Sequence, residues 1–204
     1  ELYPQVKLNV FNDGSWNLKK KLLNNELDMF LSTGIRKPQK FDKITREIIK
    51  EEDVHLVVSN NLLKKKFPTD WQERKRQFSG GVDLAVLGDM AFMLPEKSFA
   101  SRILLDEYLA QHNLTLIIIM ENMHPDIYHI LAGMDYAASI GLTMYSRGIK
   151  KYNEDANNAG VHLNMFPILG MQRRSCIKLN YIKGTIFPQY AVDLMKLIKN
   201  LCAE

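Results

Sequence analysis

Five histidines, two cysteines and 23 carboxylates give this 204-residue chain raw material for metal binding or nucleophilic catalysis, but their spacing supports neither. His55, His112, His124, His129 and His162 never pair with a carboxylate or cysteine at a metal-ligand interval, and each reads as a surface or packing residue. Cys176 and Cys202 are isolated, and no Gly-x-Ser-x-Gly elbow, Cys-His signature or glycine-rich phosphate loop is present. What the sequence offers instead is binding chemistry at four turns, residues 12–16, 32–34, 95–98 and 121–124. In a doubly wound sheet, ligands sit beyond the carboxyl ends of the strands, where helix starts present amides with no intrahelical partner. Such starts carry partial positive charge, so a cleft built from them and from hydroxyls favours an anionic group such as a carboxylate. The candidate ligand contacts are Gly14, Ser15, Trp16, Thr33, Gly34, Lys97, Ser98, Asn122 and Met123, with Thr143 following the Ile140-Gly141 strand; His124 stands beside them.

Each candidate also has a purely structural role open to it. Ser15 is either a ligand contact or the cap of its own helix, and Thr33 either a donor from the opposite wall or a turn residue after a strand. Lys97 offsets a carboxylate charge or is simply solvated; Trp16 stacks on a ligand at the cleft mouth or packs beside the helix start. Asp13 would repel an anion unless it faces solvent or caps the helix, which leaves an amine-bearing ligand such as an amino acid as an alternative.

The elements that must carry these turns follow from periodicity. Residues 5–11 alternate, with Val6, Leu8 and Val10 on one face, which predicts a strand; Leu18, Leu22 and Leu23 recur at helical spacing, and residues 27–31 form a second short apolar run. Strand, helix, strand in this order predicts a parallel βαβ unit. Residues 44–49 and 54–58 are further strands joined by a polar, hairpin-like connection at residues 50–53. Residues 59–81 are polar, with a crossover near their start, a helix over 71–78 and a turn at Gly80-Gly81. A second series predicts a strand at 91–94, a helix opening at Ser98, a strand at 114–120, a helix near Pro125 with Ile127, Ile130, Leu131 and Met134 on one face, and a strand at 140–145. A polar loop at 153–160, strands at 162–169 and 175–182, and a helix carrying Phe187, Ala191, Leu194, Ile198 and Leu201 complete the chain.

Composition narrows the class. With 46% hydrophobic residues the chain is long enough to divide its core between two lobes, and its longest apolar run, residues 114–120, falls far short of the roughly 20 residues of a membrane helix. Lys and Arg total 27 against 23 Asp and Glu, an excess too dispersed for a nucleic-acid footprint, and the runs Lys19-Lys20-Lys21, Lys64-Lys65-Lys66 and Arg74-Lys75-Arg76 read as solvated helix faces. Sparse cysteines fit a reducing cytoplasm. The start at Glu1 suggests a piece of something longer.

The order and spacing of several motifs resemble the effector-binding domain of LysR-type transcriptional regulators, whose fold is similar to type II periplasmic binding proteins. The resemblance runs through Leu2-Tyr3-Pro4, Gly14-Ser15 to Leu18, Glu26-Leu27-Asp28, Leu56-Val57-Val58-Ser59, Leu94-Pro95 with Ser98 and Arg102, Ser139-Ile140-Gly141-Leu142 and Tyr181-Ile182-Lys183-Gly184. Departures are Ser139 and Asp13, where glycine is common, and Asn157-Asn158 in a stretch of variable length. The resemblance implies an α/β fold of two Rossmann-like lobes, residues 1–61 with 165–204 and residues 62–164, with a ligand cleft between them and a ligand-contacting hydroxyl at Ser15. It implies a small organic-acid or amino-acid effector, no cofactor or metal, no catalysis and no membrane. It also implies a side-by-side antiparallel homodimer, with the helices around residues 18–23 and 71–78 as contributors, a tetramer in the intact regulator, and DNA contact only through an N-terminal helix-turn-helix outside this chain. The rival reading is an extracytoplasmic solute-binding protein of a transporter, which an upstream helix-turn-helix would exclude and a signal peptide would favour. An enzyme on a hydroxymethylbilane-type scaffold lacks its cofactor-bearing cysteine and arginine-rich cleft here.

Overall fold

A computed structural model describes residues 2–36, 43–122, 125–155 and 160–203. The chain forms two compact units, Glu1–Glu51 with Cys176–Glu204, and Glu52–Ser175. The first contains α1 (Ser15–Leu23), β1 (Met29–Ile35), β2 (Ile44–Glu52), β8 (Ser175–Ile182) and α7 (Gln189–Ala203), with a three-stranded sheet in the order β1-β8-β2. Leu18 and Leu22, one turn apart on α1, are buried together with Ile35, Ile44, Ile177 and Leu179 of the strands and Ala191 and Met195 of α7. The spacing of leucines thus sets which face of α1 is covered.

Residues 5–11 do not join this sheet. Val6, Leu8, Val10 and Phe11 are exposed, and no ladder includes them, so the predicted first strand and its βαβ unit are absent. The segment is held near its ends instead: the Tyr3 hydroxyl donates to Asp193 at 2.6 Å, and the Lys21 ammonium lies 5.4 Å from the Phe11 ring centroid. Alternation makes a segment competent for a sheet, but a strand forms only where a neighbouring edge offers hydrogen bonds.

The second unit holds β3 (Val54–Ser59), α2 (Asn60–Lys66), α3 (Trp71–Phe78), β4 (Ala91–Pro95), α4 (Ala100–Gln111), β5 (Ile117–Asn122), α5 (Pro125–Gly133), β6 (Ala138–Leu142), α6 (Ser146–Glu154) and β7 (Leu163–Pro167). Its five-stranded sheet runs β5-β4-β6-β3-β7, with β4 parallel to β5 and β6, and β3 antiparallel to β6 and β7. The inner strands are apolar on both faces, as a covered sheet requires. Val57, Met93, Tyr128, Ala132, Ala137, Ile149 and Leu163 pack as one cluster. Gly81 adopts φ +126°, and that left-handed conformation explains the glycine at the turn.

Several expectations are corrected here. The division expected at 61/62 and 164/165 moves to 51/52 and 175/176, because β3 and β7 ladder into the second unit's sheet. The hairpin expected between residues 44–49 and 54–58 is not one: β2 and β3 are separated by Asp53 alone and belong to different sheets. On α5 the core positions are Tyr128 and Ala132, whereas Ile127, Ile130 and Met134 are exposed. Tyr128 takes the inward place because its hydroxyl reaches backbone oxygens, donating toward Leu94 O (2.8 Å) and Asn122 O (2.5 Å). Leu18, Leu22 and Phe78 of α1 and α3 are buried, whereas Leu23 and Trp16 of α1 are exposed. Exposed apolar residues of the second unit include Ile117 to Met120 on β5 and Ile127 and Ile130 on α5. Helix α6 went unpredicted, and α2 was foreseen only as a solvated helix face at Lys64-Lys65-Lys66.

Candidate functional site

In the first unit, the start of α1 opens onto a cavity of about 150 Å³ lined by Ser15, Lys19, Phe30, Ser32, Ile44, Arg46 and Asn180. Gly14 is the N-cap, with φ −61° and ψ 144°, and no side chain caps the helix; Leu18 N–H donates to Gly14 O at 3.0 Å. Ser15 is the first helical residue, so its hydroxyl is not spent on capping, and first-turn amides have no carbonyl behind them. Asp13 is neutralised locally by the Gly14 amide and Asn17 Nδ2, each at 2.8 Å, and by Lys21 at 3.6 Å. The Asn17 and Gly14 hydrogen bonds, with Lys21 adding to them, hold its carboxyl below the usual carboxylate range.

The strands complete the wall. Asn180 on β8 donates to Ser32 Oγ at 3.0 Å and to Phe30 O at 3.2 Å, which fixes the Ser32 hydroxyl as an acceptor and leaves its own proton to donate. Arg46 on β2 anchors by donating to Ile44 O at 3.4 Å. Among the described residues, Lys19 and Arg46 are the ionisable ones of the lining, and it includes no carboxylate. Two cations, two hydroxyls and a helix start facing a space of this size can take a small anion with an apolar body against Phe30 and Ile44.

The sequence candidates fall in several places. Ser15 lines the cavity, Gly14 precedes it as the N-cap of α1, and Trp16 is 76% exposed. Thr33 and Gly34 lie inside β1 and not in a turn. Side chains alternate along a strand, so Ser32 shares the Phe30 face while Thr33 is on the opposite one. Gly34 O accepts a hydrogen bond from Cys176 Sγ at 3.1 Å. In the second unit, Lys97 and Ser98 are exposed in the turn between β4 and α4, and the helix opens at Ala100 with Phe99 as N-cap, later than predicted. Asn122 ends β5, its carbonyl accepting from the Glu96 amide and Tyr128. Thr143 is tied to Asp53, accepting from the Asp53 amide at 3.2 Å while its own amide donates to Asp53 O at 3.1 Å. Met123 and His124 lie outside the described residues.

Sequence reasoning missed Lys19, Arg46 and Asn180, and it included Ser32 in the 32–34 turn but chose Thr33 as the contact. Lys19 was discoverable, one helical turn beyond Ser15 on the same face. Ser32 would have followed from extending the strand past Leu31. Arg46 and Asn180 depend on which strands become neighbours, and no local pattern encodes that.

A separate cavity of about 380 Å³ in the second unit is lined by Ser146, Ile149, Lys150, Asn153, Glu154, His162 and Met165. Its Asn153 is committed to the backbone of Leu163, accepting from N at 2.8 Å and donating to O at 2.9 Å. Among the described residues, no group of three or more His, Cys, Asp or Glu is arranged to hold a metal ion, and no helix is long and apolar enough to cross a membrane.

No protein-family model matches the sequence, and no curated protein matches it. Solved structures do. The effector-binding domain of QuiR in complex with shikimate matches with a TM-score of 0.64 at 16% identity, over 93% of this chain and 78% of that one. HinK, a LysR family transcriptional regulator from Pseudomonas aeruginosa, matches at 0.70 and 14% identity over 98% of this chain, which spans only 61% of HinK. The BenM effector-binding domain with its effector benzoate matches at 0.63 and 16% identity, over 99% and 81%. The chain therefore has the fold of LysR-family effector-binding domains, a mixed α/β architecture of the type II periplasmic-binding-protein class.

Proposed function

We propose that this chain is the effector-sensing domain of a LysR-type transcriptional regulator and that its effector is a small carboxylate. The observation that carries the reading is the cavity at the start of α1, which Lys19, Arg46, Ser15 and Ser32 line together with, among the described residues, no acidic side chain. The pinning of Asp13 by Gly14, Asn17 and Lys21 supports an organic acid over an amino acid, because that carboxylate already has two hydrogen-bond donors and a cation. QuiR and BenM, named with shikimate and benzoate, are neighbours in fold whose ligands are carboxylates. The chemistry is binding alone, and a ligand acts by favouring the conformation it fits best. Gly14 backs the anion through its open surroundings, Trp16 lines the approach, and Lys97 and Ser98 add contacts from the second unit in the interlobe cleft that the family resemblance implies. Operator recognition belongs to a helix-turn-helix outside this chain. Homodimerisation, with tetramers in the intact cytoplasmic regulator, draws on the exposed β5 and α5 residues.

The test is a thermal-shift and calorimetric titration with benzoate, shikimate and a panel of amino acids. A ligand at 100 times its Kd adds about 2.7 kcal/mol to the stability of the state it binds. Ser15→Ala and Arg46→Gln should each weaken a confirmed carboxylate, Arg46→Gln by roughly 10- to 100-fold for loss of a charged hydrogen bond of about 1.5–3 kcal/mol. Carboxylate binding that neither substitution changes would move the site elsewhere; binding of amino acids alone would overturn the ligand class.

A further inference from the structure

The segment from Lys64 to Arg76 holds six cations and two acids, a charge of +4 that equals the formal excess of the whole chain; the remainder has 21 residues of each sign. In sequence this is two short basic runs, but the fold makes one surface of them. Lys64 Nζ lies 4.9 Å from the Trp71 ring centroid, Lys66 and Arg74 flank the Phe67 ring at 5.8 and 5.4 Å, and Lys75 Nζ donates to Asn60 Oδ1 at 3.0 Å. Helices α2 and α3 are thereby joined with their cations side by side. Three of the six are committed: Arg74 to Asp70 at 2.9 Å, Arg76 to Glu73 at 2.9 Å, and Lys66 to Asp89. Lys64, Lys65 and Lys75 have no carboxylate partner among the described residues. Lysines in the last turn of α2 complement its dipole, but that requires neither a second basic helix nor three unpaired charges.

We propose that the α2–α3 surface contacts the phosphate backbone of duplex DNA without reading its sequence. Cations already cover the Trp71 and Phe67 rings, so no free aromatic platform is left on which unpaired bases would stack, and this favours a duplex over a single strand. The contact goes beyond the effector-sensing reading and does not depend on it, since it requires neither the cavity nor an effector.

Fluorescence anisotropy of this chain with a short labelled duplex of arbitrary sequence, across a salt series, tests the contact. Three phosphate contacts give a log–log salt slope of about −2.7, an affinity loss of about forty-fold between 50 and 200 mM salt. Lys64→Gln with Lys65→Gln, both at exposed positions, should flatten the slope to about −0.9. Lys196→Gln with Lys199→Gln on α7, the same change in net charge, should leave it near the wild-type value. Absence of salt-dependent binding by the wild-type chain, or an equal loss in the α7 variant, would overturn the proposal. Displacement of the duplex by polyglutamate as effectively as by unlabelled duplex would also overturn it and assign the surface to an acidic polypeptide.

Discussion

Arg102 is the most deeply buried cation described, with 4% of its side chain exposed, and replacing it by methionine gives a sharp measure of how the second unit is held together. From α4 its guanidinium donates to Pro95 O at 3.0 Å at the end of β4, to Asp106 at 2.7 Å on its own helix, and to Glu121 at 2.5 Å on β5. Breaking a buried ion pair typically costs 3–5 kcal/mol because one charge is left stranded in a dry site. Here the stranded charges are not dry: the Asp106 and Glu121 side chains are 43% and 39% exposed and can turn to water. What stays uncompensated is the Pro95 carbonyl, and methionine roughly fills the vacated volume, so the expected loss is about 2 kcal/mol. For a chain of this size that is a fall in Tm of about 4–8 °C at neutral pH.

The same substitution has a pH signature. The hydrogen bond from Arg102, reinforced by the Arg102 and Lys97 charges, lowers the Glu121 carboxyl below its ordinary value of 4.5. A carboxyl depressed in the folded state stabilises it above the unfolded value, and that contribution disappears as pH falls through the folded one. The gap between wild type and Arg102→Met should therefore narrow on acidification from pH 7 to below the carboxylate range. Denaturant melts followed by circular dichroism at both ends would show it. Equal stability of the two proteins at neutral pH, or a gap that does not change with pH, would refute the clamp.

Tyr128→Phe should destabilise by about 1–2 kcal/mol in urea melts, because it removes the proton shared by the Leu94 and Asn122 carbonyls at a fully buried position. Gly81→Ala should cost about 1–3 kcal/mol, since φ +126° is strained for an L side chain and an added Cβ would press on Leu169. Partial burial and then the Lys75 charge lower the His162 pKa from 6.5; Lys75→Met should raise it toward that value in an NMR titration. Because the folded state disfavours protonated His162, its contribution to stability is full above pH 6.5 and declines as pH falls through the unfolded value, less steeply in Lys75→Met.

The sequence specified elements better than partners. Helix α3 and strand β8 fall on the predicted residues 71–78 and 175–182, because the helical stretch is set off by Pro68 and the glycine pair and the strand alternates Ile177, Leu179 and Tyr181 with polar residues. Residues 5–11 alternate just as well yet pair with nothing described, so period alone did not decide strand formation. Helix α6 escaped because its single buried residue, Ile149, stands among charged neighbours that read as loop. At the candidate site, Ser15 was legible from the turn before it. Choosing Thr33 over Ser32 came from ending the strand too early, which moves the chosen hydroxyl to the other face. Arg46 and Asn180 reach the cavity through the strand order β1-β8-β2, a long-range outcome.

Strand β5 lies at the rim of its sheet, parallel to β4 on one side, with Ile117, Ile118, Ile119 and Met120 all exposed. Its register slips once, Phe92 facing Ile118 and Met93 facing Met120, so Ile119 is the extra residue. Amides that point toward β4 will retain their protons in heavy water, while those aimed outward will trade them as quickly as an unfolded peptide does. Read along the strand, slow and fast positions should alternate and then lose step at Ile119. A molecule that docked along this rim would slow the fast set selectively, which makes these few amides a built-in reporter of whatever comes to lie there.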